Sequence, residues 1–272
     1  MIARALQKLW RFFLRDFAVA RSYRSAFVLD IGEALFGVMA FYFVAKFVDS
    51  PQVARALPQG GSYFAFSLVG FAFFDYLVVA LNAFDRSLEQ ARQDGTLEVL
   101  LVTQTSLSMI LTGSAIYPFA VMSLRVAVYI GWAAALFHFP VHEANWLGAA
   151  AVLLASILAF SGLGVLSASY SLLFKRGNPG KWLLLSVSGL AGGMLYPVAI
   201  LPQALQAVAR LIPITYALDG MRAALLGHAS IGELWPSLAA LLVFAAILLP
   251  VSFIAFSWSL RRTRTTGTLT HT

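Results

Sequence analysis

Long apolar runs, separated by short polar segments, make up most of this sequence. Six runs are long enough to cross a membrane, because a helix of about 20 apolar residues spans a hydrocarbon core of about 30 Å. Only 11% of the 272 residues are charged. A soluble domain of this size needs far more charge to cover its surface. The pattern therefore predicts an all-α membrane protein.

The basic residues predict an orientation for these crossings, because Lys and Arg are enriched in cytoplasmic loops. With the amino terminus in the cytoplasm, the inner segments hold 14 Lys and Arg residues and the outer segments hold four. This asymmetry predicts a multi-pass protein of the cell (inner) membrane with both termini cytoplasmic, including a tail over 261–272. The predicted crossings are 27–47, 62–84, 108–137, 146–174, 182–201 and 237–260.

Residues 1–26 precede the first crossing and have a different pattern. Their basic residues recur at helical spacing, and Trp10 and Phe13 lie elsewhere around the helix. A helix of this kind lies in the membrane interface, with its cations among lipid headgroups. The basic stripe consists of Arg4, Lys8, Arg11 and Arg15.

Composition and motifs exclude several functions. The absence of cysteine rules out disulfides, Cys-ligated zinc and iron–sulfur clusters. The net charge of +7 fits cytoplasmic loops rather than nucleic-acid binding. Gly177, Gly180 and Lys181 lack the spacing of a phosphate loop, so this chain is expected to bind no ATP or other cofactor. We expect no metal site and no enzyme activity either, because His138, His142 and Glu143 lack ordered ligand spacing and no catalytic cluster occurs.

The inner segment 85–98 concentrates charge in a chain where charge is scarce. Glu89 and Arg92 are three residues apart and can pair on a short helix. Gly95 can end that helix, and Thr96 can cap the next one. The segment is therefore either a polar loop, as most such connections are, or a structured docking surface on the cytoplasmic side.

The outer segment 202–236 is too apolar for a water-exposed loop and too broken to cross the membrane. Pro202 suits the start of a short helix, which Pro213 ends. A second short helix follows, with Asp219 and Arg222 three residues apart. Re-entrant or interfacial helices fit this pattern best.

Two charged residues fall deep inside predicted crossings. Asp75 lies in the second crossing and Arg125 in the third. A charge at the bilayer centre costs roughly 2.5–3.5 kcal/mol, so such residues rarely face lipid. We predict that Arg125 is the partner of Asp75, and we favour a structural ion pair over a substrate contact. Near the inner end of the first crossing, Asp30 and Glu33 can pair with Arg21 or Arg24, and we again favour a structural role.

The inner sequence Gly95-Thr96-Leu97-Glu98, followed by Leu100-Leu101-Val102-Thr103, resembles the first hallmark of the ABC-2 family of export permeases. The outer sequence Leu201-Pro202 through Pro213-Ile214-Thr215-Tyr216-Ala217-Leu218-Asp219-Gly220-Met221-Arg222 resembles the second. The amphipathic first helix and the six crossings extend the resemblance over nearly the whole chain. One departure is Gln104, where the family usually has proline.

The resemblance implies specific partners. Family permeases dimerise, here as a homodimer, and bind two separate cytoplasmic ABC ATPase subunits that carry ATP and Mg. The glycines of the fifth crossing, Gly189, Gly192 and Gly193, then either pack within one subunit or help to form the dimer seam. By family position, the ATPase-coupling residues are Arg86, Glu89, Arg92, Gly95, Thr96, Leu97 and Glu98, and the outer gate consists of Pro202, Pro213, Tyr216, Asp219 and Arg222.

The expected function is that of a permease subunit of an ATP-driven exporter. Short outer loops favour a small amphiphile, drug or lipid-like substrate. Export of a lipid-linked glycan by the same mechanism is one alternative. An ion-gradient-driven secondary transporter is another, but that class usually shows inverted repeats and paired ionisable groups in broken helices. The sequence shows no such repeat, and Asp75 is its only deep carboxylate.

Overall fold

The computed structural model describes residues 2–21, 24–48, 57, 62–93, 107–137, 139, 144–174 and 178–265. Within these ranges the chain is all-helical, with one short 3-10 helix at Val198–Ile200. The α-helices of the described ranges are α1 (Ile2–Arg21), α2 (Arg24–Val48), α3 (Tyr63–Gln93), α4 (Leu107–Phe137), α5 (Trp146–Leu173), α6 (Pro179–Ala191), α7 (Gln203–Ala209), α8 (Pro213–Leu225) and α9 (Ile231–Thr265).

Four of the described helices are long and apolar enough to cross a membrane: α3, α4, α5 and α9. Helix α2 has 25 residues, a length of about 37 Å at 1.5 Å per residue. Helix α6 has only 13 residues, or about 20 Å, which is less than a hydrocarbon core of about 30 Å. The chain is therefore a multi-pass membrane protein with at least one apolar helix that ends short of a full crossing.

Helix α5 forms the centre of the bundle and packs most extensively against α9 and α3. Phe160 is fully buried there. A Cβ atom added at Gly162 would meet Leu248 of α9, and one added at Gly164 would collide with the carbonyl oxygen of Ala80 in α3. Small residues allow helix backbones to approach this closely. These two glycines therefore serve packing within one chain.

Helix α3 extends beyond the predicted second crossing of 62–84 and continues to Gln93. Its 31 residues span about 46 Å, well beyond a hydrocarbon core of about 30 Å. The additional turns contain good helix formers such as Leu88 and Glu89. A helix of this length can extend beyond the hydrocarbon core at the end that bears Arg86 and Glu89.

Helix α6 covers only the first part of the predicted fifth crossing of 182–201. It is capped at its start by Asn178, whose side chain accepts a hydrogen bond from the Lys181 N–H, and it ends at Ala191. Gly193 follows with a φ of +87°, a left-handed conformation that glycine adopts without strain. Two consecutive glycines thus break the helix where apolar composition alone predicts that it continues.

Helix α9 begins six residues before the predicted sixth crossing of 237–260, at Ile231. The Ser230 N–H and hydroxyl both donate to the Glu233 carboxylate, at 2.7 and 2.9 Å. These two bonds cap the start of the helix ahead of Pro236, which lies inside it. Pro236 therefore does not mark the start of this helix, as the sequence had suggested.

Helix α1 packs against α4 through aromatic side chains. The ring of Phe12 lies over Gly113, and the rings of Phe13 and Tyr117 are 5.8 Å apart. Trp10 and Phe17 stack on the ring of Phe13, at 5.4 and 6.2 Å, and both remain exposed. Exposed aromatic side chains of this kind are what an interfacial helix needs in order to enter the headgroup region.

Candidate functional site

A polar network lies at membrane depth between α2, α3 and α4. One guanidinium nitrogen of Arg125 is 3.0 Å from a carboxylate oxygen of Glu33. The Tyr129 hydroxyl donates to Asp75 at 3.2 Å, and the Arg125 guanidinium carbon is 5.7 Å from the centre of the Tyr129 ring. Three helices thus contribute to one cluster with two carboxylates and one cation.

The structure corrects two pairings predicted from the sequence. Arg125 forms its ion pair with Glu33, and Asp75 accepts its hydrogen bond from Tyr129. Glu33, for which the sequence suggested Arg21 or Arg24, contacts Arg125 of α4. The reason is packing, because α4 lies against both α2 and α3, and its long arginine side chain reaches α2. The side chains of Asp30 and Arg24 lie outside the described residues. Tyr129 carried no sequence signal beyond its position, one helical turn after Arg125.

The polar network adjoins aromatic rings. The rings of Phe71 and Tyr129 are 5.9 Å apart, and those of Phe41 and Phe71 are 4.7 Å apart. The Glu33 side chain is 69% exposed. A carboxylate exposed at membrane depth is unfavourable against lipid, so this side of α2 is suited to a polar cavity or a protein partner.

The residues between α6 and α7 form a second notable feature, which we call the break segment (192–197). Its carbonyl groups leave the helical pattern inside an apolar bundle, where unpaired backbone groups are costly. The guanidinium of Arg222 donates to the Gly193 carbonyl at 2.7 Å and to the Met194 carbonyl at 2.8 Å. The Tyr63 hydroxyl donates to the Leu195 carbonyl at 2.9 Å. Side chains from α8 and α3 thus satisfy the carbonyl groups that the helix leaves unpaired.

Arg222 also binds α3 directly. Its guanidinium donates to the Phe66 carbonyl at 2.9 and 3.2 Å and stacks on the Phe66 ring, 3.4 Å from the ring centre. Arg222 is only 2% exposed. A Cβ atom at Gly70 would collide with the Met194 carbonyl oxygen and the Arg222 guanidinium, so this glycine permits the approach. Arg222 therefore joins α3, α8 and the break segment.

Helices α7 and α8, which we call the outer hairpin, contain the predicted gate residues. Pro202 precedes the first residue of α7, and Pro213 begins α8. The Tyr216 hydroxyl donates to the Arg210 carbonyl at 3.1 Å and so ties the two helices together. Asp219 is exposed, whereas Arg222 points into the bundle. The structure thus places the five residues on one hairpin without bringing them into one constriction.

The predicted ATPase-coupling residues lie at or beyond the end of α3. Arg86, Glu89 and Arg92 belong to this helix. Gly95, Thr96, Leu97 and Glu98 lie outside the described residues, so the predicted helix break at Gly95 stays a prediction. No metal-binding group of side chains occurs among the described residues, and the sequence candidates His138, His142 and Glu143 lie outside them.

One polar cluster in the second half of α3 was not predicted from the sequence. Lys181 donates to Asp85 at 2.9 Å and to the Asn82 side-chain oxygen at 3.1 Å. The Ser167 hydroxyl also donates to Asp85, at 3.1 Å. Asn178, which caps α6, donates to Ser167 at 3.0 Å. The Asn178-Pro179 pair was the usable signal, because it marks a capped helix start that fixes the position of Lys181.

A comparison with protein families is consistent with this architecture. The profile of the family described as ABC-2 type transporter matches residues 7–226, about four-fifths of the chain. The chain belongs to the ABC-2 type transporter family. The match runs from α1 through the outer hairpin, which ends at Leu225, and leaves α9 outside it. No individual curated protein matches the sequence.

Membership of the ABC-2 family gives the helical bundle a functional class. The chain is a membrane transport component rather than a catalyst in its own right. Family membership also implies association with ABC ATPase subunits. The polar network and the outer hairpin both lie within the matched residues, and so does the carboxyl-terminal end of α3.

Proposed function

We propose that this chain is the permease subunit of an ATP-driven exporter. It moves a small amphiphile, drug or lipid-like substrate out of the cytoplasm or the inner leaflet, with energy from a separate ATPase. The observation that carries the proposal is the ABC-2 match over residues 7–226. The two copies of the permease form a homodimer, and each binds one cytoplasmic ATPase.

The inner end of α3 supports this proposal. Helix α3 is long enough to extend out of the bilayer, and its last turns bear Arg86 and Glu89. These turns lead directly into residues 95–98, the predicted coupling elbow. A transport cycle driven from outside this chain needs such a solvent-accessible segment, because binding energy changes a conformation only through differential contacts.

If the elbow couples the chain to the ATPase, a substitution there should abolish the stimulation of ATP hydrolysis by substrate. We expect Glu98→Ala to abolish substrate-stimulated ATP hydrolysis in the purified complex, because it removes a carboxylate from the proposed ATPase contact. Glu143→Ala is the matched control, because the proposed topology places it on the outer side. The measurement is the ATPase rate of the reconstituted complex, together with the amount of ATPase that co-purifies. Equal stimulation in both variants would refute the role of the elbow.

The proposed six crossings, with both termini in the cytoplasm, make a labelling prediction. The chain has no cysteine, so single substitutions create unique labels. We expect Gln203→Cys to react with a membrane-impermeant maleimide in intact cells, and Gln7→Cys to react only after permeabilisation. Both residues are exposed in the structure. Labelling of both positions from the same side would rule out this topology.

Two alternatives make different predictions. An ion-gradient-driven transporter would work without an ATPase and stop when the gradient is collapsed. An exporter of a lipid-linked glycan would still need the ATPase, but amphiphilic drugs would not stimulate hydrolysis. A screen of ATP hydrolysis by the reconstituted complex against drugs, lipids and glycan-lipids distinguishes all three.

A further inference from the structure

Helix α6 is attached to α3 at its inner end. Lys181, in the first turn of α6, forms an ion pair of 2.9 Å with Asp85. Lys181 also donates to Asn82, one turn earlier on α3, and Ser167 of α5 donates to the same Asp85 oxygen. Three hydrogen bonds therefore converge on one turn of α3, about two turns before the helix end that leads towards the coupling elbow.

The chain that follows α6 is attached to α3 a second time, at the outer end. Arg222 binds the carbonyl groups of Gly193 and Met194 while it binds the carbonyl group of Phe66 in α3. Tyr63, in the first turn of α3, binds the Leu195 carbonyl. Because Arg222 belongs to α8, this attachment includes the outer hairpin.

We propose that Asp85, Lys181 and Arg222 are positioning residues for transport, because they fasten α6, the break segment and α8 to α3 at both ends. A displacement of the inner end of α3 then moves the outer hairpin as part of the same body. This inference rests on the proposed function, because only a coupled ATPase would displace the inner end. It assigns to Arg222 a mechanical role within the bundle rather than a contact with substrate.

The spacing of the two attachments supports this role. Phe66 and Asp85 are 19 residues apart on one uninterrupted helix, a distance of about 28 Å. Coupling between distant sites is carried by rigid elements and hydrogen-bond networks. Helix α6 cannot carry the displacement alone, because it ends at Ala191 and its continuation is not helical. Because the break segment is attached to α3, it moves with α3, as it would move with α6 if that helix were uninterrupted.

The test measures movement on the outer side when the ATPase binds nucleotide. Because the chain has no cysteine, spin labels can be placed at Gln203→Cys on α7 and Leu136→Cys near the outer end of α4. Labelled chains are diluted with unlabelled ones and assembled with a cysteine-free form of the ABC ATPase that co-purifies. The distance between the labels is measured without nucleotide and with ATP plus vanadate. We expect a clear shift in the parent complex.

The substitutions separate coupling from stability. We expect Arg222→Gln and Asp85→Lys to hydrolyse ATP at the parent rate but to lose the distance shift. Arg210→Gln, which changes an exposed arginine of the same outer segment, is expected to keep it. The double variant Asp85→Lys with Lys181→Asp restores an ion pair and is expected to restore the shift. If Arg222→Gln does not fold, this charge-swap series decides the question alone.

A parent-like shift in both Arg222→Gln and Asp85→Lys would overturn the inference. A parent complex that hydrolyses ATP without any shift would overturn it as well. The failure of the proposed function looks different, because then no ABC ATPase would assemble with the chain and there would be no hydrolysis to couple. A charge-swap variant that assembles but shows no shift also counts against the inference.

Discussion

Arg125→Met is expected to destabilise the protein strongly, because it removes the cation that stabilises Glu33 at membrane depth. Asp75 also loses the nearby positive charge, although it keeps its hydrogen bond from Tyr129. An uncompensated carboxylate at the bilayer centre, as expected for Asp75, costs roughly 2.5–3.5 kcal/mol, and the more exposed Glu33 adds a smaller loss. We therefore expect a loss of several kcal/mol, measured as a lower thermal unfolding midpoint in detergent and a smaller yield of monodisperse protein.

A second substitution tests the cause of this loss. Glu33→Gln combined with Arg125→Met removes both members of the ion pair and is expected to recover part of the stability. Groups in direct contact typically show coupling energies of 0.5–3 kcal/mol in such a cycle. Arg15→Met is the control, because it breaks the exposed Arg15–Asp16 pair of 2.8 Å on α1 and should cost less than about 1 kcal/mol. Equal losses of stability in Arg15→Met and Arg125→Met would contradict the stabilising role of the Arg125–Glu33 ion pair.

Gly164→Ala is expected to have a comparably large effect. The added Cβ atom would collide with the backbone carbonyl of Ala80, and a backbone atom cannot move aside as a flexible side chain can. Helices α3 and α5 would have to separate along a contact that also carries the bond between Ser167 and Asp85. Overpacking of this kind costs typically 1–3 kcal/mol, and we expect a value near the upper end.

The matched control for this substitution is Gly131→Ala. An added Cβ atom at Gly131 in α4 meets nothing within 4 Å. The alanine should therefore leave stability unchanged or raise it slightly, since glycine lowers helix stability by roughly 0.5–1 kcal/mol relative to alanine. Unfolding can be followed by the fluorescence of the chain's six tryptophans. If both substitutions were neutral, the close contact between α3 and α5 would be incorrect.

The helices were predictable where composition alone decides them. The apolar run 146–174 corresponds closely to α5, at Trp146–Leu173, because lipid-length apolar runs have few alternatives to a helix. The ends of α3 and α6 were not predictable in this way. Helix α3 continues through charged residues that favour a helix in water as well, and α6 stops at two glycines inside an apolar run. Apolar composition predicts which residues lie in lipid, whereas the residues at which α3 and α6 end depend on local backbone conformation.

The partners of the charged residues were harder to predict than their presence in the membrane. The positions of Asp75 and Arg125 within their predicted crossings identified them as charges deep in the membrane. Position along a helix, however, does not determine which way a side chain points. The rotation of α4 against α2 brings Arg125 to Glu33. Arg222 was assigned to the outer gate from its position, yet its partners are carbonyl groups of α3 and of the break segment. Such partners have no side-chain pattern that a sequence can display.

The break after Ala191 affects which substitutions the chain can tolerate. A broken helix and a buried cation are each a defect inside an apolar bundle, and here each compensates the other. An arginine side chain has five N–H donors, and the interrupted backbone supplies acceptors for them at Gly193 and Met194. Restoring the helix would leave Arg222 with fewer acceptors, and removing Arg222 would leave carbonyl groups without donors. The two features can therefore be lost together more easily than either can be lost alone.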